Sequence, residues 1–262
     1  MDDAVHPLRI YLAGHVALER GGVLVSERRM PSRQGRLAFA LLVAERATAL
    51  SKDQIADVLW NGSSPGGWEV ALRAIVSKLR RTINDAGLGD AVAIEGAYGC
   101  YQLRLPADAW VDLEAAGSAI HDAENELRAG NLAAANGEAL VAAAISRRPF
   151  LAGEDGRWVE QYRAKLRDIR LRALMCRARV ALANGDAVSA ATDAELAIEL
   201  EPYHEPAYAL LMRARASAGN DAGAMKTYER LRERLADELG TSPSPATEAV
   251  YLSILRRDGV AG

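Results

Sequence analysis

Four cations stand within nine residues of one segment, at Arg73, Lys78, Arg80 and Arg81, with small residues between them. The apolar residues of this segment recur with helical period on one side, so the cations fall on or beside the opposite side. Such a helix can enter the major groove of a duplex, where forked Arg donors bind guanine edges and further cations bind phosphates. We therefore predict that Arg73 reads a base, that Ser77 contacts a base or a phosphate, and that the other three cations contact phosphates.

A solvated basic face is the alternative interpretation of the same segment. For an isolated helix it would be preferred, because charged residues are mostly exposed. A capped helix before the segment and a hairpin after it favour nucleic-acid binding instead, since this is the order of elements in a winged helix. Arg33, Arg36 and Lys52 begin other helices, where a backbone phosphate could be held. An ordinary exposed charge explains these three residues equally well.

The sequence contains no constellation of residues that would support catalysis. It has no phosphate-binding loop, no Gly-x-Ser-x-Gly motif and no metal-binding pair of histidines. His6, His15, His121 and His204 are too dispersed to gather a metal ion. We therefore predict a protein that is not an enzyme and that needs neither a cofactor nor a metal.

Strand and helix signals place the basic segment within a small domain. Three short apolar runs separated by turn residues predict strands, at residues 8–12, 16–18 and 23–25. A hairpin is predicted from strands at 92–94 and 101–105, joined through residues 96–99. Between sheet and hairpin lie three helices: one capped by Ser32, one opened by a capping box of Ser51 and Gln54, and one from about Trp68 to Asn84. This order predicts a winged helix-turn-helix domain over residues 1–106.

Residues 107–262 show helical periodicity throughout and no strand signal, which predicts an all-α domain. Its turn residues repeat, since Gly185 and Gly219 are 34 residues apart, the period of a tetratricopeptide repeat. Ala190 and Ala224 each follow five residues later, at the small position where paired helices touch. Residues 129–131 predict a third turn of the same kind, while the stretch from Pro149 to Gly156 departs from the repeat. The fold class is therefore mainly α: a winged helix-turn-helix followed by tetratricopeptide-like repeats.

The composition of the chain indicates where the protein is located and which partners it could bind. No apolar run is long enough to cross a bilayer, and the acidic start Met1-Asp2-Asp3 is unlike a signal peptide, so we expect a cytoplasmic, nucleoid-associated protein with no membrane partner. Cys100 and Cys176 are expected to be small buried residues and not a disulfide. The formal charge of −3 divides into +2 for residues 1–105 and −5 for the remainder, so the placement of the cations matters more than their number.

The aromatic residues near the basic segment are predicted to be structural. Trp60 is expected to fill the core beneath the helix pair, and Trp68 projects inward on the helical wheel. Tyr101 is expected to pack within the hairpin. None of the three is therefore predicted to stack on a base.

The order and spacing of five motifs carry a family resemblance over nearly the whole chain. They are LSKDQIADVLW at 50–60, ALRAIVSKLRR at 71–81, YQL at 101–103, ELEPY at 199–203, and the segment from Tyr228 to GTSPSP at 240–245. The chain resembles the SARP-type antibiotic regulatory proteins, in which an OmpR-like winged helix precedes a bacterial transcriptional activation domain. The resemblance implies a pair of chains side by side on direct repeats in promoter DNA, supported by the helical domain, and recruitment of RNA polymerase holoenzyme.

We expect a sequence-specific activator that places its third helix in the major groove and binds DNA as a homodimer. A repressor of the same architecture remains open, because DNA binding alone does not fix the sign of regulation. A helical-repeat adaptor whose winged helix docks on protein is the alternative from another class. It is motivated by the small basic excess and by a wing tip that lacks a basic residue and has Glu95 nearby.

Overall fold

The computed structural model describes residues 6–258 of the 262-residue chain, so the acidic start Met1-Asp2-Asp3 lies outside the described residues. The chain divides into two compact units. The first contains the chain up to Ala116 together with Ile145–Leu166, and the second contains Gly117–Ala144 and the chain from Arg167 onward. This division by packing differs from the predicted division along the chain at residue 106, which stays a prediction about domain limits.

A four-stranded sheet opens the first unit. Its strands are β1 (Arg9–Tyr11), β2 (Ala17–Arg20), β3 (Val23–Val25) and β7 (Trp110–Val111), arranged in the order β3, β2, β1, β7. The three predicted strands are confirmed, with Ile10 opposite Leu18 in the antiparallel pair of β1 and β2. The expectation of no strand beyond residue 107 is wrong, because β7 pairs in parallel with β1 and places Val111 opposite Ile10. Two residues are too few to show a periodic pattern in sequence.

Three helices and a second sheet complete the winged helix-turn-helix. They are α1 (Arg33–Ala44), β4 (Leu50–Ser51), α2 (Lys52–Leu59), α3 (Trp68–Asp85), β5 (Ala93–Ala97) and β6 (Cys100–Arg104). The predicted caps are present: the Ser32 side chain accepts a hydrogen bond from the Gly35 amide at 3.0 Å, and Ser51 and Gln54 form the capping box. β4 lies beside β6 in the order β4, β6, β5, so the wing is attached to the residues that begin α2.

Two expectations about burial are corrected. Trp60 is half-buried and does not fill the core; it meets the half-buried Trp68 edge to face, with ring centroids 6.4 Å apart. Cys100 begins a strand at the hairpin tip and is half-buried, whereas Cys176 is buried as expected. Tyr101 is 8% exposed, which confirms its packing within the wing.

Within the described residues, seven helices follow the winged helix. They are α4 (Asp112–Ala129), α5 (Leu132–Ser146), α6 (Arg157–Ala183), α7 (Ala187–Leu200), α8 (Glu205–Ser217), α9 (Asp221–Leu239) and α10 (Pro245–Asp258). The second unit is built from them as a tetratricopeptide-like array, as predicted. Ala190 and Ala224 are fully buried where paired helices touch. Small residues at these positions let the helices pack closely.

The repeated turns have a common geometry. Gly185 and Gly219 have φ of 77° and 74°, and Gly130, in the third predicted turn, has φ of 82°. Only glycine adopts this left-handed backbone without strain. The polar residue that follows caps the next helix: Asp186 accepts a hydrogen bond from the Ser189 amide, and Asn220 accepts one from the Gly223 amide. The pattern of small and polar residues was therefore a reliable signal of where helices begin.

The stretch that departs from the repeat, Pro149 to Gly156, lies within Ile145–Leu166, a segment that packs inside the first unit and that we call the clasp. Phe150, 1% exposed, bridges to Ala13 of the N-terminal sheet and stacks on Tyr162, with centroids 5.3 Å apart. The Glu45 carboxylate at the end of α1 accepts hydrogen bonds at 3.0 Å from Trp158 Nε1 and from the Tyr162 hydroxyl. Burial and the charge of Glu45 together raise the pKa of Tyr162, so this phenol stays protonated and donates.

Candidate nucleic-acid interface

The recognition-helix candidate α3 is buried on one side and open on the other. Its buried residues are those that the helical wheel predicts, each at most 8% exposed: Leu72, Ile75, Val76, Leu79 and Ile83. Arg73, Ser77, Lys78 and Arg81 are all exposed. Within the described part of the chain, no hydrogen bond or ion pair engages the side chains of these four residues. Three charged groups and a hydroxyl are thus free for a ligand on one helix face.

Arg80 has a different environment from the other cations of α3. Its Nε and Nη2 donate hydrogen bonds to the Ile94 carbonyl oxygen at 2.9 and 2.7 Å. Its guanidinium carbon lies 6.0 Å from the centroid of the Tyr101 ring. Two of its donor groups therefore hold the wing against α3. A Cβ on Gly96 would stand 3.1 Å from the Tyr101 ring, so glycine at that position gives this packing its space.

The wing ends in a two-residue turn that projects a tyrosine. Tyr98 and Gly99 have φ of 51° and 79°, the pair of left-handed residues that a tight hairpin turn of type I′ requires. The Tyr98 side chain is fully exposed. The Gly99 carbonyl accepts a hydrogen bond from the Lys52 amide at 3.1 Å, which ties the tip to the first residue of α2. Sequence reasoning overlooked Tyr98, although the turn signal Ala-Tyr-Gly-Cys was visible.

The two arginines at the start of α1 are paired with acids. Arg33 Nε contacts Glu154 of the clasp at 2.9 Å, although the Arg33 side chain is 67% exposed. Arg36, whose side chain is 14% exposed, binds both Glu27 and Glu154. Burial lowers the pKa of Arg36, but hydrogen bonds to the two carboxylates outweigh it and keep the pKa above its ordinary value. These contacts hold the clasp, and no sequence signal connected α1 with a residue 118 positions later.

Of the predicted site residues, α3 brings Arg73, Ser77, Lys78 and Arg81 together on one face. Lys52 is half-buried beside the wing tip, and Arg33 lies apart with Glu154.

Across residues 6–258, no group of three His, Cys, Asp or Glu residues is placed to hold a metal ion. In the same stretch, every helix is too short or too polar for a membrane span.

Comparison with known sequences places the chain among bacterial regulators. The family model of the bacterial transcriptional activator domain matches residues 111–255. The regulatory protein AfsR of Streptomyces coelicolor is 30% identical over 251 residues, 96% of this chain and 24% of AfsR. DnrI of Streptomyces peucetius is 24% identical over 96% of this chain and 93% of its own length. The transcriptional regulatory protein EmbR of Mycobacterium tuberculosis is 27% identical over 85% of this chain, which spans 57% of EmbR.

A solved structure agrees with this placement. EmbR of Mycobacterium tuberculosis, in complex with a low-affinity phosphopeptide, superimposes with a TM-score of 0.86 at 26% identity, over 96% of this chain and 66% of EmbR. The fold is an N-terminal α/β region followed by a helical, tetratricopeptide-like region, and the family match and the relatives place it in a class of regulatory, non-enzymatic proteins. The chain belongs to the SARP-like regulators that carry a bacterial transcriptional activator domain.

Proposed function

We propose that the chain is a sequence-specific DNA-binding regulator whose helix α3 enters the major groove. The observation that carries the proposal is the exposed face of α3, where Arg73, Ser77, Lys78 and Arg81 are free of partners in the described chain. Arg73 reads a base edge, most effectively a guanine. Ser77 contacts a base or a phosphate, and Lys78 and Arg81 bind phosphates.

The remaining predicted contacts receive different roles. Lys52 at the start of α2 is placed to bind a phosphate beside the wing, because helix N-termini attract anions. Arg80 acts through the wing that it holds, and Arg33 acts through the clasp, so we assign neither to a direct DNA contact. Tyr98 at the wing tip reaches the sugar-phosphate backbone with its hydroxyl, a role that needs no positive charge.

We propose further that the protein activates transcription in the cytoplasm. It binds direct repeats in promoter DNA as a pair of chains about one helical turn apart, and it recruits RNA polymerase holoenzyme. The support for activation is the bacterial transcriptional activator domain that matches residues 111–255, and AfsR, DnrI and EmbR are regulatory proteins. The pairing rests on the family resemblance. Repression by the same architecture is the alternative.

DNA binding is tested with the purified full chain and a duplex selected by it from a random library. Arg73→Ala with Arg81→Ala should weaken binding about thirtyfold or more, because each contact contributes about 1–3 kcal/mol. With Arg81→Ala alone, the slope of log binding constant against log salt concentration should become shallower by about one unit, because one phosphate contact is lost. Arg232→Ala is the matched control, since this arginine forms an ion pair with Glu229 on the exposed side of α9. Unchanged binding by the double variant would remove α3 as the interface.

The adaptor alternative is decided by the same titration. A winged helix that docks on protein would show no duplex affinity to titrate, and the selection would return no sequence. Activation is decided separately, by transcription with purified polymerase from a promoter that contains the selected sequence. Stimulation supports the activator, and inhibition supports the repressor.

A further inference from the structure

The outward face of α3 carries a valine among its cations. Val70 is 63% exposed, in a helix where every other large apolar residue except the half-buried Trp68 is buried. At 100° per residue, Val70 lies within about 20° of the direction opposite the mean of the buried residues. Ser77 and Arg81 lie within about 20° of Val70 on the same wheel. Val70 is therefore at the centre of the face that carries the free donors.

Structural roles do not account for a valine at this position. A β-branched residue is a weaker helix former than alanine or lysine, so it gives α3 no advantage in the open. Its side chain contributes nothing to the core, which lies on the opposite side. Single exposed apolar residues are common on protein surfaces, but this one lies between the free cations of a proposed groove-binding face.

The approach to Val70 is unobstructed. Gly66 and Gly67 precede α3, and a Cβ on either would meet no atom within 4 Å. Gly67 has φ of 74° and begins the helix without a side-chain cap. Trp68 is held against Trp60, so the first turn of α3 is fixed while Val70 points away from the contact. The N-terminal end of α3 therefore presents the two methyl groups of Val70 on its outward side, with open space at the glycines that precede the helix.

We infer that Val70 reads the C5-methyl group of a thymine next to the base pair that Arg73 contacts. The methyl is the one apolar group on the major-groove edge of the base pairs, and aliphatic side chains recognise it by contact. Three residues of α-helix rise about 4.5 Å and one base-pair step about 3.4 Å, so side chains one turn apart meet neighbouring pairs. This inference rests on the proposed function and adds a specificity residue to the same site.

The experiment replaces thymine with deoxyuridine, which removes only the methyl. The probe is the duplex selected by the full-length protein, with each thymine replaced in turn, and binding is measured by fluorescence anisotropy at fixed salt. One replacement should weaken the wild type about threefold to tenfold, the range for losing one buried methyl. The same replacement should change binding by Val70→Ala less than twofold, because the partner of the methyl is gone.

The control is Val188→Ala, which truncates a valine that is 76% exposed on α7 and far along the chain from the site. It should retain the wild-type sensitivity to deoxyuridine. A selected sequence without thymine, or equal sensitivity in the wild type and Val70→Ala, would overturn the inference. In both cases the wild type still binds a defined sequence, whereas loss of the proposed function would appear as no selected sequence at all.

Discussion

Arg80 and Arg81 are adjacent residues with different environments. Arg80 directs two donors to the Ile94 carbonyl, while Arg81 is exposed without a partner in the described chain. On the helical wheel they differ by about 100°, which takes Arg80 toward the wing and leaves Arg81 on the open face. Replacing Arg80 should therefore affect the stability of the wing, whereas replacing Arg81 should affect DNA binding.

Arg80→Ala should destabilise the wing more than it changes the chemistry of the DNA face. Loss of the hydrogen bonds to Ile94 leaves a carbonyl without its charged donor and should cost about 1–2 kcal/mol. The measurement is hydrogen exchange at residues 94–103, which should accelerate, together with urea unfolding. Arg81→Ala is the comparison, and it should leave exchange and unfolding unchanged while weakening DNA binding. Equal exchange rates in the two variants would contradict the role assigned to Arg80.

The sequence predicted which face of α3 is buried better than it predicted which residues the α3 side chains contact. The helical wheel identified the five buried residues of α3 correctly, because burial follows a period that is local to the helix. It could not show that Arg80 meets Ile94, since that contact depends on where the hairpin folds back. It also placed Trp60 in the core, because local pattern does not show whether neighbouring elements cover an indole.

The helices and strands themselves were predicted best where a cap or turn marks them. Ser32, Ser51 and Asp186 each cap the helix that they precede, and the hairpin turn contains Gly99, which adopts its φ of 79° without strain. The two-residue strands β4 and β7 were missed. Each of them is held by a partner strand distant in sequence, Leu50 by Tyr101 and Val111 by Ile10, so no local signal specifies it.

The clasp depends on a buried carboxylate. The Glu154 side chain is 3% exposed and contacts both Arg33 and Arg36. Arg163 supports the same turn by donating hydrogen bonds to the Phe150, Leu151 and Glu154 carbonyls. The turn includes Leu151 at φ of 45°, a strained backbone for a branched residue, which persists only where surrounding contacts fix it. Several independent ion pairs and hydrogen bonds thus fix the conformation of the clasp, so it is a structural part of the first unit.

Glu154→Gln should destabilise the first unit by about 2–3 kcal/mol, because it removes one charged partner from a buried arginine that keeps only Glu27. All four tryptophans of the chain, Trp60, Trp68, Trp110 and Trp158, lie in the first unit, so their fluorescence reports on that unit alone. Urea unfolding followed by this fluorescence is the measurement. Glu229→Gln, in an exposed pair, should cost less than about 0.5 kcal/mol. A cost for Glu154→Gln no larger than that of the control would show that the clasp is not held by this carboxylate.

Each of the two units of the molecule is built from two separate stretches of the chain. The family model that matches residues 111–255 includes Val111 of β7 and the clasp, yet both pack with the N-terminal elements. Asp112, at the start of α4, is fully buried, and its carboxylate accepts hydrogen bonds from the Leu12 and Ala13 amides at 2.9–3.0 Å. Periodicity predicted the helices of this region correctly, but it could not show which unit they join, because that depends on contacts between distant segments.

The winged helix should therefore fail to fold stably as residues 1–106. Such a fragment lacks Phe150, Leu151 and Val159, which are 1–2% exposed in the first unit. Each buried side chain of this size contributes about 1.5–3 kcal/mol, so together they approach the whole stability of a small domain, about 5–15 kcal/mol. A fragment of residues 1–166, which keeps the clasp, should unfold cooperatively by tryptophan fluorescence and bind the selected duplex, whereas 1–106 should do neither. If the fragment 1–106 unfolds at the same midpoint as the full chain and binds the duplex as tightly, the winged helix is stable without the clasp and the prediction is wrong.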